Sequence, residues 1–188
     1  TIPSSVTSMD IWAFEETQLE SIIITANTIK EFVESDINNL LCRAYVSSAE
    51  RHVVVGGAEL IHHVVIPEGT TAIKKYAFYN CKNLKSIELA PVIGAHAFEG
   101  CSNITSTITS GEFVLKEIGD YAFYGCDNLG GLTIKNPECV IADSPYVFPE
   151  DMTIFGFAGS TAQAHAEKYG LEFVDITETT FEMIADGE

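Results

Sequence analysis

Five cysteines, a histidine pair and two pairs of adjacent carboxylates are the side chains in this 188-residue chain whose chemistry is worth weighing first. Thiols could form disulfides or hold zinc, histidines could ligate a metal, and paired carboxyls could share acid–base work. Their spacing weakens each reading. Cys81, Cys101 and Cys126 stand 20 and then 25 residues apart, with no Cys-x-x-Cys pair, so they repeat along the chain instead of converging on a tetrahedron. His62-His63 are neighbours, and neighbours on a strand point to opposite faces. Glu15-Glu16 and Glu150-Asp151 read as solvated corners, because an acid–base pair must face across a cleft. No Gly-rich phosphate loop, His-Glu-x-x-His helix or Gly-x-Ser-x-Gly elbow is present. The sequence therefore predicts no catalytic residue, no cofactor and no metal.

What holds those cysteines at their spacing is a repeated frame. Ala77-Phe78-Tyr79-Asn80-Cys81-Lys82-Asn83-Leu84 returns as Ala97-Phe98-Glu99-Gly100-Cys101-Ser102-Asn103-Ile104. It returns again as Ala122-Phe123-Tyr124-Gly125-Cys126-Asp127-Asn128-Leu129. A period of roughly 20–29 residues marks a solenoid of leucine-rich-repeat type, whose units bury their apolar edges only against their neighbours. Leu84-Lys85-Ser86-Ile87-Glu88-Leu89 and Leu129-Gly130-Gly131-Leu132-Thr133-Ile134 read as short strands pointing Leu and Ile into the stack. A second short extended piece precedes each Ala-Phe, and Ala-Phe-x-x-Cys reads as a tight helical or 3₁₀ turn plugged by Phe. The recurrent Asn83, Asn103 and Asn128 suit turns in which the amide satisfies backbone groups of its own or the next coil. Asn103-Ile104-Thr105 is formally a glycosylation sequon, but its place in that turn makes a structural role the simpler reading.

Composition sets the outer limits. Hydrophobic residues make up 46%, enough for a continuous core, and no run of about 18 apolar residues exists to span a membrane. The net charge is −17, from 27 acidic and 10 basic residues. That charge disfavours nucleic acid, which needs a basic stripe to displace counterions, and anionic membrane surfaces as well. It keeps an elongated protein dispersed, and it leaves a cationic partner or calcium as the functional alternatives.

Weaker copies flank the clear ones. Ile11-Trp12-Ala13-Phe14 followed by Leu19 to Ile24 fits the frame, and Ile2-Pro3-Ser4 mirrors Ile66-Pro67-Glu68. The opening Thr1-Ile2-Pro3 thus falls inside a repeat, which points to a piece of a longer protein. Thr28-Ile29 to Asn39-Leu40 lies on Val92-Ile93 to Asn103-Ile104 at a constant offset, with the Ala-Phe pair lost. Val147-Phe148 starts a last, eroded unit. Residues 44–66 break the period and read as a β-hairpin around Gly56-Gly57, inserted in the solenoid. Residues 153–176 read as a cap: Ser160 to Gln163 is a capping box, Gly170 a helix C-cap, and Leu171 to Ile176 an edge strand. Phe155, Phe157 and Tyr169 near this cap read as core or staple. Residues 1–176 then form one solenoid domain, and 177–188 an acidic tail or linker.

The frame Val/Ile-Ile-Pro-x-Gly-x-x-x-Ile-x-x-x-Ala-Phe-x-x-Cys-x-x-Leu-x-x-Ile resembles the BspA-like, or treponemal-type, leucine-rich repeat. It stands most completely as Val65-Ile66-Pro67-Glu68-Gly69 through Ala77-Phe78, Cys81, Leu84 and Ile87. Thr153 to Ala162 is similar to the usual ending of such domains. The resemblance implies a right-handed, mainly β solenoid with short helical or 3₁₀ turns and a helix-plus-strand cap. It also implies secreted or cell-surface proteins of host-associated bacteria and some protists, with adhesion as their proposed role. It supplies no catalytic residues to carry over.

The expected function is a non-enzymatic ligand-binding or adhesion module, its partner a protein or glycan such as a host matrix protein. Its concave strands would present Ser21, Ile23, Ser86, Glu88, Ser106, Gly131 and Thr133, mostly small and polar. Trp12, the sole Trp, would be an exposed anchor. The alternative is a structural spacer that holds another domain. A third reading is a calcium-binding acidic surface. The cysteines of the ladder are expected to be reduced and buried, so that Cys101→Ser would leave an unpaired hydroxyl in the core. Cys42 and Cys139 stay without a role at this level.

Overall fold

The computed structural model describes residues 1–6, 21–35, 50–55, 57–59, 63–108 and 115–177. Within them the chain is a β-solenoid of about six turns, as the repeat predicts. With strands numbered in chain order, β1 (Ile2–Pro3), β2 (Ser21–Ala26) and β3 (Glu50–Val55) form one parallel run, joined by β4 (Ala58–Glu59). A second run holds β5 (His63–Val64), β7 (Ser86–Glu88) and β9 (Ser106–Ile108). A third stacks β6 (Ala72–Ile73), β8 (Val92–Ile93), β10 (Glu117–Ile118) and β12 (Val140–Ile141). A fourth, beside β9, holds β11 (Gly131–Ile134), β13 (Thr153–Gly156) and β14 (Glu172–Asp175).

The ladder register is the sequence period made visible. Ala72 pairs with Val92, and Val92 with Glu117, the same steps of 20 and 25 that separate Phe78, Phe98 and Phe123. Equivalent side chains in successive coils are therefore held one inter-strand spacing apart, about 4.8 Å. At that distance identical aromatic rings must stack. Phe78, Phe98 and Phe123 do so at centroid distances of 5.4 and 5.2 Å, and Phe148 continues the column at 6.1 Å. All four rings are buried, with Leu84, Ile87, Ile118, Leu132 and Ile154 packed into the same core. Along a strand the alternation is the expected one: Ile87 is buried between half-buried Ser86 and Glu88.

The Ala-Phe segments form the tight turns that the sequence predicts. They carry i→i+3 bonds: the N–H of Ala77 donates to Lys74 at 3.1 Å, and that of Cys81 to Phe78 at 3.1 Å. No helix forms, because left-handed residues interrupt each series. Tyr76 (φ 62°), His96 (58°) and Tyr121 (55°) stand at one such place, and Asn80, Gly100 and Gly125 at another. The freed N–H groups turn to the next coil instead. Phe78 donates to Ala97 O at 2.8 Å, Phe98 to Ala122 O at 2.9 Å and Phe123 to Val147 O at 2.9 Å. Close approach of these coils excludes side chains. A Cβ on Gly119 would stand 2.4 Å from the Ala95 nitrogen, and one on Gly94 2.5 Å from that of Lys75.

One upstream reading needs correction. The constant-offset alignment placed Ile29 on Ile93. A short helix α1 (Ile29–Val33) occupies this stretch instead, capped by Thr28, whose hydroxyl accepts from the Glu31 N–H at 3.1 Å. Val33 O accepts from Lys74 N–H as Ile73 O accepts from Gly94 N–H, so Val33 holds the rung, one helical turn later than aligned. Phe32 restores the lost ring, meeting Phe78 edge-on at 5.2 Å. Around Gly57, β3 takes part in two pairings. β3 and β4 pair antiparallel, Val55 with Ala58, beside Gly57 at φ 86°. Yet β3 also pairs parallel with β2 from Ser21–Glu50 to Ala26–Val55, so the first arm is itself a rung of the stack.

The C-terminal helix α2 (Thr161–Tyr169) follows its sequence signals. Ser160 Oγ accepts from the Gln163 N–H at 3.2 Å, and Gly170 closes the helix in the left-handed region at φ 76°. The Gln163 side chain does not complete a reciprocal box; its Oε1 accepts from Gly159 N–H at 2.7 Å. His165 meets Phe148 edge-on at 5.4 Å and ends the phenylalanine column. β14 then forms the sheet edge, exposing Glu172 and Asp175, charges that discourage further strand pairing.

Candidate functional site

The cysteine ladder is structural. Cys81, Cys101, Cys126 and also Cys139 are buried free thiols. Cys101 Sγ donates to Phe78 O at 2.8 Å and Cys126 Sγ to Phe98 O at 3.1 Å. Burial pushes the Cys126 thiol up to about 12. Cys139 and His165 line one shallow hollow of about 380 Å³, but burial, and then the Glu117 charge, push that thiol to about 12 too. A protonated buried thiol is a poor nucleophile. Among the described residues no group of three or more His, Cys, Asp or Glu side chains is placed to hold a metal ion. The asparagines act between coils: Asn103 Nδ2 donates to Lys82 O at 2.7 Å, and Asn128 Nδ2 to Ser102 O at 2.6 Å. The sequon nitrogen of Asn103 is therefore engaged in the stack.

The strand positions singled out from sequence fall as follows. Ser86 pairs with Ser106, Ser86 and Glu88 are half-buried and Ser106 is exposed, flanking buried Ile87. Ile23 is 40% exposed on β2, and Ser21 pairs with Glu50. Thr133 is half-buried and shares a row with Phe155 and Val174. Gly131 is less open than expected, since a Cβ there would meet the Phe155 ring at 2.7 Å. Phe155, read as core or staple, is half-buried within that row, while its neighbour Ile154 fills the core. Trp12, Cys42, His62 and Glu15-Glu16 lie outside the described residues.

A second face was missed. The residue just before each Ala-Phe or Val-Phe is Tyr76, His96, Tyr121 and Tyr146, and these rings stack at 4.6, 5.0 and 5.1 Å. Tyr79 meets Tyr76 edge-on, and Tyr124 meets both Tyr121 and Tyr146 edge-on. His96 Nδ1 bonds Glu99, and the Lys75 ammonium sits 4.9 Å from the Tyr76 ring centre. Desolvation, with Asp120 adding its charge, pushes the Tyr121 phenol up. Three of these residues hold positive φ, which costs a bulky L-residue about 1–2 kcal/mol each. Ring stacking, worth about 0.5–1.5 kcal/mol a pair beyond burial, offsets that cost. The sequence did carry the signal, since an aromatic or histidine ring recurs at this place with the same period as Phe.

This second ladder ends in a cavity of about 750 Å³ between the last coil and α2. Tyr124, Tyr146 and Tyr169 line it together with Asp127, Glu150 and Asp151. Tyr124 and Tyr146 are 44% and 46% exposed, among the more open large hydrophobic side chains described.

Stacked parallel coils with outward ladders and a capped end define a repeat solenoid, a class that works through its surfaces. Six copies of the BspA type leucine rich repeat region match residues 1–41 and 57–152, and the chain belongs to that family. The matched repeats stop before β13, so the helix and strand of the cap lie outside them. No curated protein and no solved structure matches the chain. The family is often involved in protein binding or adhesion and is generally a non-enzymatic scaffold. Among the described residues no helix is long and apolar enough to cross a membrane.

Proposed function

We propose that this chain is a non-enzymatic, extracellular ligand-binding or adhesion module, secreted or held at a cell surface. Residues 1–176 would form its stack and cap. Family membership carries the reading, and the structure adds surfaces suited to it. The rigid phenylalanine column fixes the coils, so outward side chains are presented with little ordering cost on binding. A protein or glycan ligand, such as a host matrix protein, would meet the strand face through Ile23, Ser86, Glu88, Ser106 and Thr133. The test is binding of the purified chain to immobilised matrix proteins and glycans. Ser86→Arg with Glu88→Arg should abolish capture if the strand face is used. Unchanged capture would refute that face, and no capture by any surface would favour a spacer.

A further inference from the structure

We propose that the cavity at the C-terminal end of the tyrosine ladder is a docking site for an arginine-bearing segment of a partner protein. The proposal deepens the ligand-binding reading and rests on it. Tyr121 covers one face of the Tyr146 ring at 5.1 Å, and Tyr124 stands edge-on to it at 5.8 Å. Among the described residues no ring covers the other face of Tyr146, which borders the cavity. In this stack His96 and Tyr121 are covered on both faces, whereas Tyr146, at one end, keeps a face toward the cavity. Asp127, Glu150 and Asp151 share the cavity, and among the described residues no Lys, Arg or His lines it. Among the described residues these three carboxylates have no cation as partner. The nearby Lys168 is held by Asp143 instead.

That combination selects the ligand. A guanidinium is flat, stacks on an aromatic face and gives its edge to carboxylates, so ring and charge serve it together. A sugar would also stack on the ring, but it gains nothing from three unneutralised charges. The volume accepts more than one side chain, in the range of ordinary ligand sites. The excess charge of the whole chain would steer a basic segment inward.

Hexa-arginine, its neutral isostere hexa-citrulline and cellohexaose are the probes, read by calorimetry and by amide chemical shifts on the full chain. Hexa-arginine should bind and perturb residues 124–127, 145–151 and 169–171, whereas hexa-citrulline and cellohexaose should not bind. Asp127→Asn with Glu150→Gln and Asp151→Asn should weaken binding by about tenfold. A control with equal charge change, Glu68→Gln with Glu138→Gln and Glu167→Gln, should weaken it by less than about twofold. Tyr146→Leu should weaken it where Tyr146→Phe does not. Equal loss in both triple variants would show charge attraction by the whole surface and overturn the site. So would cellohexaose shifts in the same cavity, or arginine shifts elsewhere. None of these failures touches binding of matrix proteins at the strand face, so the two readings fail separately.

Discussion

Cys101 Sγ lies 2.8 Å from the carbonyl oxygen of Phe78, one coil earlier, and that oxygen also accepts the Cys81 N–H at 3.1 Å. The relationship repeats one coil on, where Phe98 O accepts from both Cys101 N–H and Cys126 Sγ. Cys101 and Cys126 are thus hydrogen-bonded ties between coils as well as fillers of the core.

This tie changes what Cys101→Ser should do. The sequence-level expectation of an unpaired hydroxyl does not hold, because the Phe78 oxygen is in place to accept it. The shorter C–O bond relaxes the 2.8 Å contact toward an ordinary hydroxyl distance. Cys101→Ser should cost about 1 kcal/mol, no more than Cys101→Ala, which loses the tie and leaves a void. Urea melts of both variants decide it: Ala more stable than Ser by 1 kcal/mol or so would show that the hydroxyl finds no acceptor.

Gly119→Ala should be far worse than its single methyl suggests. The new Cβ would fall 2.4 Å from Ala95 N and 2.8 Å from Ala95 Cα, both backbone atoms of the coil before. Neither can move without opening the ladder, so the expected loss is about 3 kcal/mol. Gly130→Ala meets nothing within 4 Å and should stay within about 0.5 kcal/mol of the parent. Parallel thermal melts of the two variants test the contrast, and similar losses would contradict the close stacking.

His165 makes stability sensitive to acid. Burial against Phe148 and Tyr169 holds its pKa below the ordinary value, with Asp143 opposing and Lys168 assisting. The unfolded chain then binds the proton more readily than the folded one. Stability contributed by neutral His165 is full above about 6.5 and is lost as pH falls from there through the lowered folded value. His165→Phe should remove that slope in urea midpoints measured across the window. A slope that persists in the variant would assign it to other groups.

Legibility from sequence followed chemical constancy. Phe78, Phe98 and Phe123, with their cysteines and asparagines, repeat without change, so their columns were readable before any coordinates. The outward column varies as Tyr76, His96, Tyr121 and Tyr146, and a reading tuned to identity passed over it although the period was the same. Helix α1 defeated a constant-offset alignment because one added turn moves the rung from Ile29 to Val33 while Phe32 still reaches Phe78. The β3 rung was hidden by its own hairpin, whose glycine turn is a strong local signal, whereas its pairing with β2 is a long-range fact. Gly131 looked open because a residue's own type says nothing of the Phe155 ring laid across it.

Alkali provides the last test, through the buried thiols. Cys126 and Cys139 are both raised to about 12 by burial, while an exposed thiol in the unfolded chain titrates near 8.5. Between those values the unfolded state loses protons that the folded state keeps. Stability is therefore complete below about 8.5 and falls as pH climbs toward 12, about 1.4 kcal/mol per unit for each thiol at most. The same burial predicts that a thiol reagent at pH 8 leaves the native chain's stacked cysteines almost unlabelled, and that they react on unfolding in urea. Cys126→Ala with Cys139→Ala should flatten the alkaline slope relative to the parent. Rapid native-state labelling of Cys81, Cys101 and Cys126 would mean the coils do not stack over these thiols, and the ladder register from Ala72 to Ile141 would fall with it.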